Sequence, residues 1–219
     1  MSISTFELLV FDWDGTVVDS AAHIVASLQA ACMDIGLPVP EARRARYIIG
    51  LGLQDAMTYL LPDLPADDYP RLVQRYRHHF LSGDQAVRPF QGMPEGLADL
   101  HARGFLLAVA TGKSRRGLDR AFAETGLGRY FHLSRCADEG FAKPHPDMLL
   151  TLMESLDVPK ERTLMIGDTT HDLEMARNAG VSAVAVSYGA HEKESLYDLD
   201  PLACVESSQE LMRWLQENA

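Results

Sequence analysis

Four short apolar runs, at 6–11, 105–110, 163–166 and 181–186, recur along the chain with helical patterns between them. Each is rich in Val, Leu or Ile and is closed by Asp, Thr, Gly or Ser, the pattern of a strand buried on both faces. The intervening helical patterns cover 94–103, 114–125, 147–156 and 171–179, the last followed by Gly180 as a C-cap. Such alternation predicts an α/β fold with a doubly wound parallel sheet, completed by a short strand at 203–205 and a closing helix at 207–215.

The stretch 19–88 breaks the alternation. It contains no convincing strand and predicts helices over 20–35, 41–49, 53–61 and 67–81. Gly36-Leu37-Pro38, Leu61-Pro62 and Ser82-Gly83-Asp84 supply the turns that separate them from one another and from the rest. The expected organisation is a core of 1–18 and 89–219 with an all-helical insertion, 19–88, that hangs as a lid or cap over the carboxyl edge of the sheet.

Twenty basic residues against 31 acidic ones give a formal charge of −11, which argues against nucleic acid or an anionic membrane surface as the main partner. A bound cation and a few local lysines still allow a small anionic substrate in one cleft. No apolar stretch approaches the ~20 residues of a membrane span, and Met1 runs almost directly toward the first strand without a basic leader. Cys32, Cys136 and Cys204 form no CxxC pair, as expected of reduced thiols in a cytoplasmic protein, monomer or homodimer.

Four polar signals fall at strand ends or in adjacent loops, and the fold would bring them to one edge. Asp12 and Asp14, in Phe11-Asp12-Trp13-Asp14-Gly15-Thr16, follow the first run. Alone they read equally well as turn chemistry. Thr111-Gly112-Lys113-Ser114 follows the second run: Ser114 suits a helix cap, while the Thr111 hydroxyl and the backbone N–H groups near Gly112 suit phosphate oxygens. Lys143-Pro144-His145-Pro146 holds a lysine in a loop stiffened by two prolines. Gly167-Asp168-Thr169-Thr170-His171-Asp172 ends the third run and opens a helix, so Asp168 is either an N-cap or a third carboxylate beside Asp12 and Asp14. Several hard oxygen ligands without paired His or Cys suit Mg²⁺ rather than zinc. Taken jointly, the residues imply a Mg²⁺ site that handles a phosphorylated small molecule.

Asp12-Trp13-Asp14-Gly15-Thr16, Thr111, Lys143-Pro144, and Gly167-Asp168 with Asp172 occur in the order found in the haloacid dehalogenase superfamily. Over nearly its full length the chain resembles the branch of that superfamily with a helical cap. Asp19-Ser20 and Lys143-Pro144-His145-Pro146-Asp147 resemble phosphoglycolate phosphatases and their relatives. The resemblance implies a Rossmann-like core and hydrolysis of a small phosphate monoester, with Asp12 as nucleophile and Asp14 as proton carrier. It implies Mg²⁺ held by Asp12, the Asp14 backbone carbonyl and Asp168, with Asp172 as outer support. Thr111, Gly112 and Lys143 would bind the phosphoryl group.

Asp14 carries the acid that carbon–halogen and carbon–phosphorus cleaving relatives lack. The nearer alternative is a sugar-phosphate mutase of the β-phosphoglucomutase type, in which a cap histidine holds the acid; here Ile24 stands at that place and His23 beside it. A receiver-type phosphoacceptor module is a second alternative, but it has no helical insertion and its phosphorylated Asp ends a different strand. Gly50-Leu51-Gly52-Leu53 is expected as a loop pointing into the cleft. Arg43 and Arg46 share a helix face that either meets a substrate carboxylate or is simply solvated. His78 and His79 are expected at the surface or in packing.

Overall fold

The computed structural model describes residues 6–82 and 87–219; the approach from Met1 and the Gly83-Asp84 part of the expected turn lie outside them. The central strand β1 (Leu8–Phe11) is flanked by β4 (Leu106–Thr111) and β6 (Thr163–Gly167). With β5 (Leu133–Cys136), β7 (Ser182–Val186) and β8 (Ala203–Val205) they form a six-stranded sheet in the order β5-β4-β1-β6-β7-β8. Every pairing in it is parallel. From β1 the chain winds to one side through β4 and β5, then returns to the other through β6, β7 and β8. The strand order therefore reverses beside β1, and sheets of this kind bind ligands outside the carboxyl ends at that point.

Side chains alternate across the sheet, so each strand feeds two cores. Leu9 and Phe11 of β1, with Leu107, Val109, Leu164 and Ile166, face a cluster completed by α5 (Met93–Ala102), α6 (Arg115–Thr125) and α10 (Ser208–Asn218). Leu8 and Val10, with Ala108, Ala110 and Met165, face α7 (Asp147–Leu156), α8 (Thr170–Ala179) and Leu196 of α9 (Lys193–Tyr197). Coverage of both faces is why these strands read as continuous apolar runs.

Four helices, α1 (Ala21–Asp34), α2 (Ala42–Tyr47), α3 (Leu53–Leu60) and α4 (Tyr69–Ser82), follow β2 (Val18–Asp19) and precede β3 (Arg88–Pro89). They bury a cluster largely their own, including Leu28, Ile48, Met57, Leu60 and Leu72. The two connecting strands pair antiparallel, Val18 with Pro89 and Asp19 with Arg88, so the helices leave and rejoin the sheet through one narrow ribbon. That ribbon starts immediately after the loop that carries Asp14.

The sequence pattern missed β5, the ribbon and α9. Strand β5 is a four-residue edge strand with a part-exposed Leu133, and the ribbon strands have two residues each, too short for any period to show. Among the described residues no helix is long and apolar enough to cross a membrane.

Candidate active site

The edge of β1 turns into a loop because Trp13 and the two aspartates part ways. Trp13 is fully buried, edge-on to Phe122 at 5.1 Å and to Phe131 at 6.2 Å, on the α6 side of the sheet. Residues two apart share a face of extended chain, so anchoring Trp13 commits Asp12 and Asp14 to the other side. The Asp12 N–H still donates to the Ile166 carbonyl at 2.8 Å, which ties this loop to the end of β6. Gly15, at φ 88°, completes the turn; a side chain there would overlap the Asp168 carboxylate.

Asp12, Asp14, Thr111, Lys143, Asp168 and Asp172 are all buried. The Lys143 Nζ lies 2.5 Å from Asp12 Oδ1 and 2.6 Å from Asp172 Oδ1, bridging β1 to α8. Asp172 Oδ2 accepts from the Thr169 N–H at 3.0 Å and the Thr169 hydroxyl at 2.7 Å, in the capping box that opens α8. Asp168 Oδ1 accepts from the Thr16 hydroxyl and Oδ2 from the Ala190 N–H, both at 2.7 Å. Asp14 is held apart from these acids: its Oδ1 accepts from the Ser20 hydroxyl at 2.7 Å, and its Oδ2 lies 3.0 Å from Lys113 Nζ. Thr111 Oγ1 accepts from the Lys113 N–H at 3.2 Å, which leaves its own proton available.

Two fully buried carboxylate oxygens of the site accept no hydrogen bond, and while Asp172 Oδ1 is ion-paired with Lys143, the other is left over. Asp12 Oδ2 is buried without a hydrogen-bond partner, an arrangement that costs free energy unless something binds there. Asp12, Asp168 and Asp172 each present a carboxylate oxygen, mutually within 4.8 Å. Burial pushes the Asp12 carboxyl up to about 7 against the pull of Lys143, with Asp172 and Asp14 adding repulsion. Burial, reinforced by Asp12 and Asp172, holds the Asp168 carboxyl well above its usual range. An all-oxygen donor set this crowded fits a hard divalent cation, whose charge would favour the ionised acids.

The helical insertion seats on the same loops. The Tyr47 carbonyl at the end of α2 accepts from His171 Nε2 at 2.8 Å and His191 Nε2 at 3.0 Å, and its ring stacks on His191 at 5.2 Å. His191 Nδ1 accepts from the Thr170 N–H, which places its proton on Nε2. Burial, with His171 alongside, pushes His191 down to about 4, so it serves as a neutral donor. Gly50 and Leu51 then lie directly over Gly112.

A model of the haloacid dehalogenase-like hydrolase family matches residues 9–186. The chain belongs to this family. It is 37% identical over 212 residues to a probable phosphatase, IndB, of Dickeya dadantii, covering 94% of this chain and 91% of that one. It is 31% identical over 202 residues to a phosphoglycolate phosphatase of Agrobacterium fabrum, covering 89% and 85%. A crystal structure described as a predicted phosphoglycolate phosphatase from Haemophilus somnus 129PT has the same fold, with a TM-score of 0.87 at 22% identity over 97% of this chain and 99% of that one.

In this hydrolase the sequence signals converge on one edge, and several partners they did not announce join them. Ser20 stands at the N-cap position of α1 yet its hydroxyl makes no cap bond, because it is given to Asp14. A capping residue that does not cap is a local rule broken at a site. Lys113 lies within a motif singled out for its neighbours, and only the fold places it against Asp14. Arg43 is highly exposed and pairs with Glu192 at 3.5 Å, which favours the solvated reading of that face. His79 bonds to Asp34 at 2.8 Å and His78 is exposed.

Gly112 yields a direct test of insertion seating. A Cβ there would overlap the backbone carbonyls of Gly50 and Leu51, which cannot swing aside as a side chain would. Gly112→Ala is expected to lower kcat/KM by roughly 10–100-fold through misplacement of the closed insertion, with little change in melting temperature. Unaltered steady-state kinetics would show that this contact is dispensable.

Proposed function

We propose that this hydrolase cleaves a small-molecule phosphate monoester of the phosphoglycolate type with Mg²⁺, through an aspartyl-phosphate on Asp12. The observation that carries the reading is the unpartnered Asp12 Oδ2, buried beside Lys143 while a second acid, Asp14, is held separately by Ser20 and Lys113. One carboxylate is thereby free to attack and the other to move protons. The division into a core of 1–18 and 89–219 and a cap of 19–88 belongs to the same proposal, as does a cytoplasmic setting, which suits the three free thiols.

Asp12 Oδ2 attacks phosphorus as the ester P–O bond breaks, and Asp14 gives its proton to the departing alkoxide. A water then attacks the aspartyl-phosphate and passes a proton back to Asp14, which releases inorganic phosphate and regenerates Asp12. Lys143 orients Asp12 and, with the Thr111 hydroxyl and the N–H of Gly112, meets the charge on the phosphoryl oxygens. Asp12 and Asp168, with the Asp14 backbone carbonyl and Asp172 at hand, would hold Mg²⁺. When bound, the ion supplies Lewis-acid neutralisation of phosphoryl charge.

The phosphatase reading is favoured over a mutase by the fate of the insertion histidine. His23 Nε2 bonds to the Phe80 carbonyl at 2.8 Å and its ring packs on Phe80, whereas Ser20 and Lys113 occupy both oxygens of Asp14. Release of inorganic phosphate with Mg²⁺ should be followed across p-nitrophenyl phosphate, 2-phosphoglycolate, sugar phosphates, nucleoside monophosphates and amino-sugar phosphates. Turnover of at least one of these, abolished by EDTA, is expected. No turnover across the panel would sink the proposal, and faster conversion of a hexose 1-phosphate to its 6-phosphate than to free phosphate would replace it with the mutase.

A further inference from the structure

Two lysines reach the reaction site, and the chemistry proposed above uses one of them. Lys143 is committed to Asp12 and Asp172. Lys113 is not needed to hold the transferring phosphoryl group: its Nζ lies 3.0 Å from Asp14 Oδ2, on the proton-carrier side, and 4.9 Å from the centre of the Phe80 ring on α4. Its side chain is only 15% exposed. The ammonium is thus held in the seam between the sheet edge and the insertion, with an aromatic face on one side.

The leaving group must come to this seam. If Asp14 protonates the departing oxygen, that oxygen lies within hydrogen-bond reach of the carboxylate, and the atoms attached to it lie next to the group Asp14 now contacts. Ser20 holds Asp14 Oδ1 separately, so one of the two contacts on the acid stays in place when Lys113 moves. The lysine can therefore turn from Asp14 to a substrate without releasing the acid.

Several cations of the insertion are engaged elsewhere, among them Arg71 with Asp68. Arg75 pairs with Asp34, which also takes His79, and Arg43 pairs with Glu192.

We propose that Lys113 is a specificity-determining residue that binds an anionic substituent of the leaving group. The preferred substrates are then phosphate esters whose alcohol carries a carboxylate, or a second phosphate, within a few atoms of the ester oxygen. This rests on the phosphatase reading above and adds the residue that selects the leaving group. Phe80 covers the ammonium and excludes water from the ion pair that forms, which strengthens it.

The test compares kcat/KM for matched leaving groups in the full chain with Mg²⁺: 2-phosphoglycolate for the carboxylate, ethylene glycol bisphosphate for the second phosphate, and ethyl phosphate for a neutral group. Wild type is expected to prefer one of the two anionic substrates over ethyl phosphate, and the preferred one identifies the anion. Lys113→Met, which keeps an unbranched chain against Phe80, should lower that preference by about 10–100-fold, the effect of one lost charge-assisted contact, chiefly through KM. Lys113→Arg should restore most of it.

An equal fall for ethyl phosphate and the anionic substrates would show that Lys113 serves Asp14 alone and would overturn the inference. So would a preference unchanged by Lys113→Met, or a wild-type enzyme that hydrolyses ethyl phosphate as well as both anions. Failure of wild type on all three esters and on p-nitrophenyl phosphate is a different result, which removes the phosphatase reading itself.

Discussion

Asp12→Asn is expected to abolish both phosphate release and covalent labelling, with turnover falling by roughly four to six orders of magnitude, as when other enzymes lose a nucleophile. The amide lacks the negative charge and the free lone pair that Asp12 Oδ2 offers, while Lys143 keeps Asp172 as a partner, so the fold should survive. Asp14→Asn separates the two halves of the reaction. The amide can still accept from Ser20, and the nucleophile is untouched, so the phosphoenzyme should form on substrates with good leaving groups. It should then hydrolyse about 10²–10⁴-fold more slowly, for want of a base. Rapid acid quench followed by mass analysis of the Asp12 peptide reads both outcomes. Near-normal turnover in both variants would show that the roles are assigned to the wrong carboxylates.

Lys143→Met should damage stability and activity together. The ammonium is fully buried, and although burial alone would push it down, Asp12 and Asp172 hold its titration above the usual lysine range. Removing it leaves two buried carboxylates without a counter-charge, a change that costs about 3–5 kcal/mol in comparable sites. For a chain of this size that corresponds to a fall in melting temperature of roughly 6–20 °C. Melting curves should be recorded in EDTA, so that a divalent cation does not replace the lost charge. Adding Asp172→Asn should return part of the stability, because it removes one of the stranded charges, but none of the activity. A Lys143→Met protein that melts within about 2 °C of wild type would show that this ion-pair bridge contributes little to the fold.

Much of the architecture was legible because it is written in local periodicity. The runs ending at Phe11, Ala110, Ile166 and Val186 stand as four of the six parallel strands, and the four helices expected between the ribbon strands are present with shifts of one or two residues. Element ends are where such readings drift, since capping geometry rather than pattern decides them. Strand β5 escaped because Leu133-Ser134-Arg135-Cys136 is short, polar and at the edge, where only one neighbour and one well-covered face constrain its composition.

The site divides along the same line. Asp12, Thr111, Lys143 and Asp168 announce themselves because each ends a strand or stiffens a loop, and a strand's carboxyl end has a known destination in a parallel sheet. Their order along the chain is a one-dimensional property, so the type of fold and the class of chemistry could be argued before any coordinate.

Pairings between distant residues could not. That Lys143 bridges Asp12 to Asp172, that Ser20 leaves its helix to hold Asp14, that Lys113 lies between Asp14 and Phe80, and that His171 and His191 share the Tyr47 carbonyl all depend on how loops and an inserted module close on one another. Side-chain direction and charge compensation arise from packing among segments far apart in sequence, and no local pattern records them. The sequence by itself determined the sheet, the insertion and the residues at its edge; the tertiary structure alone decided which Asp12 oxygen remains without a partner, and which lysine lies against Asp14.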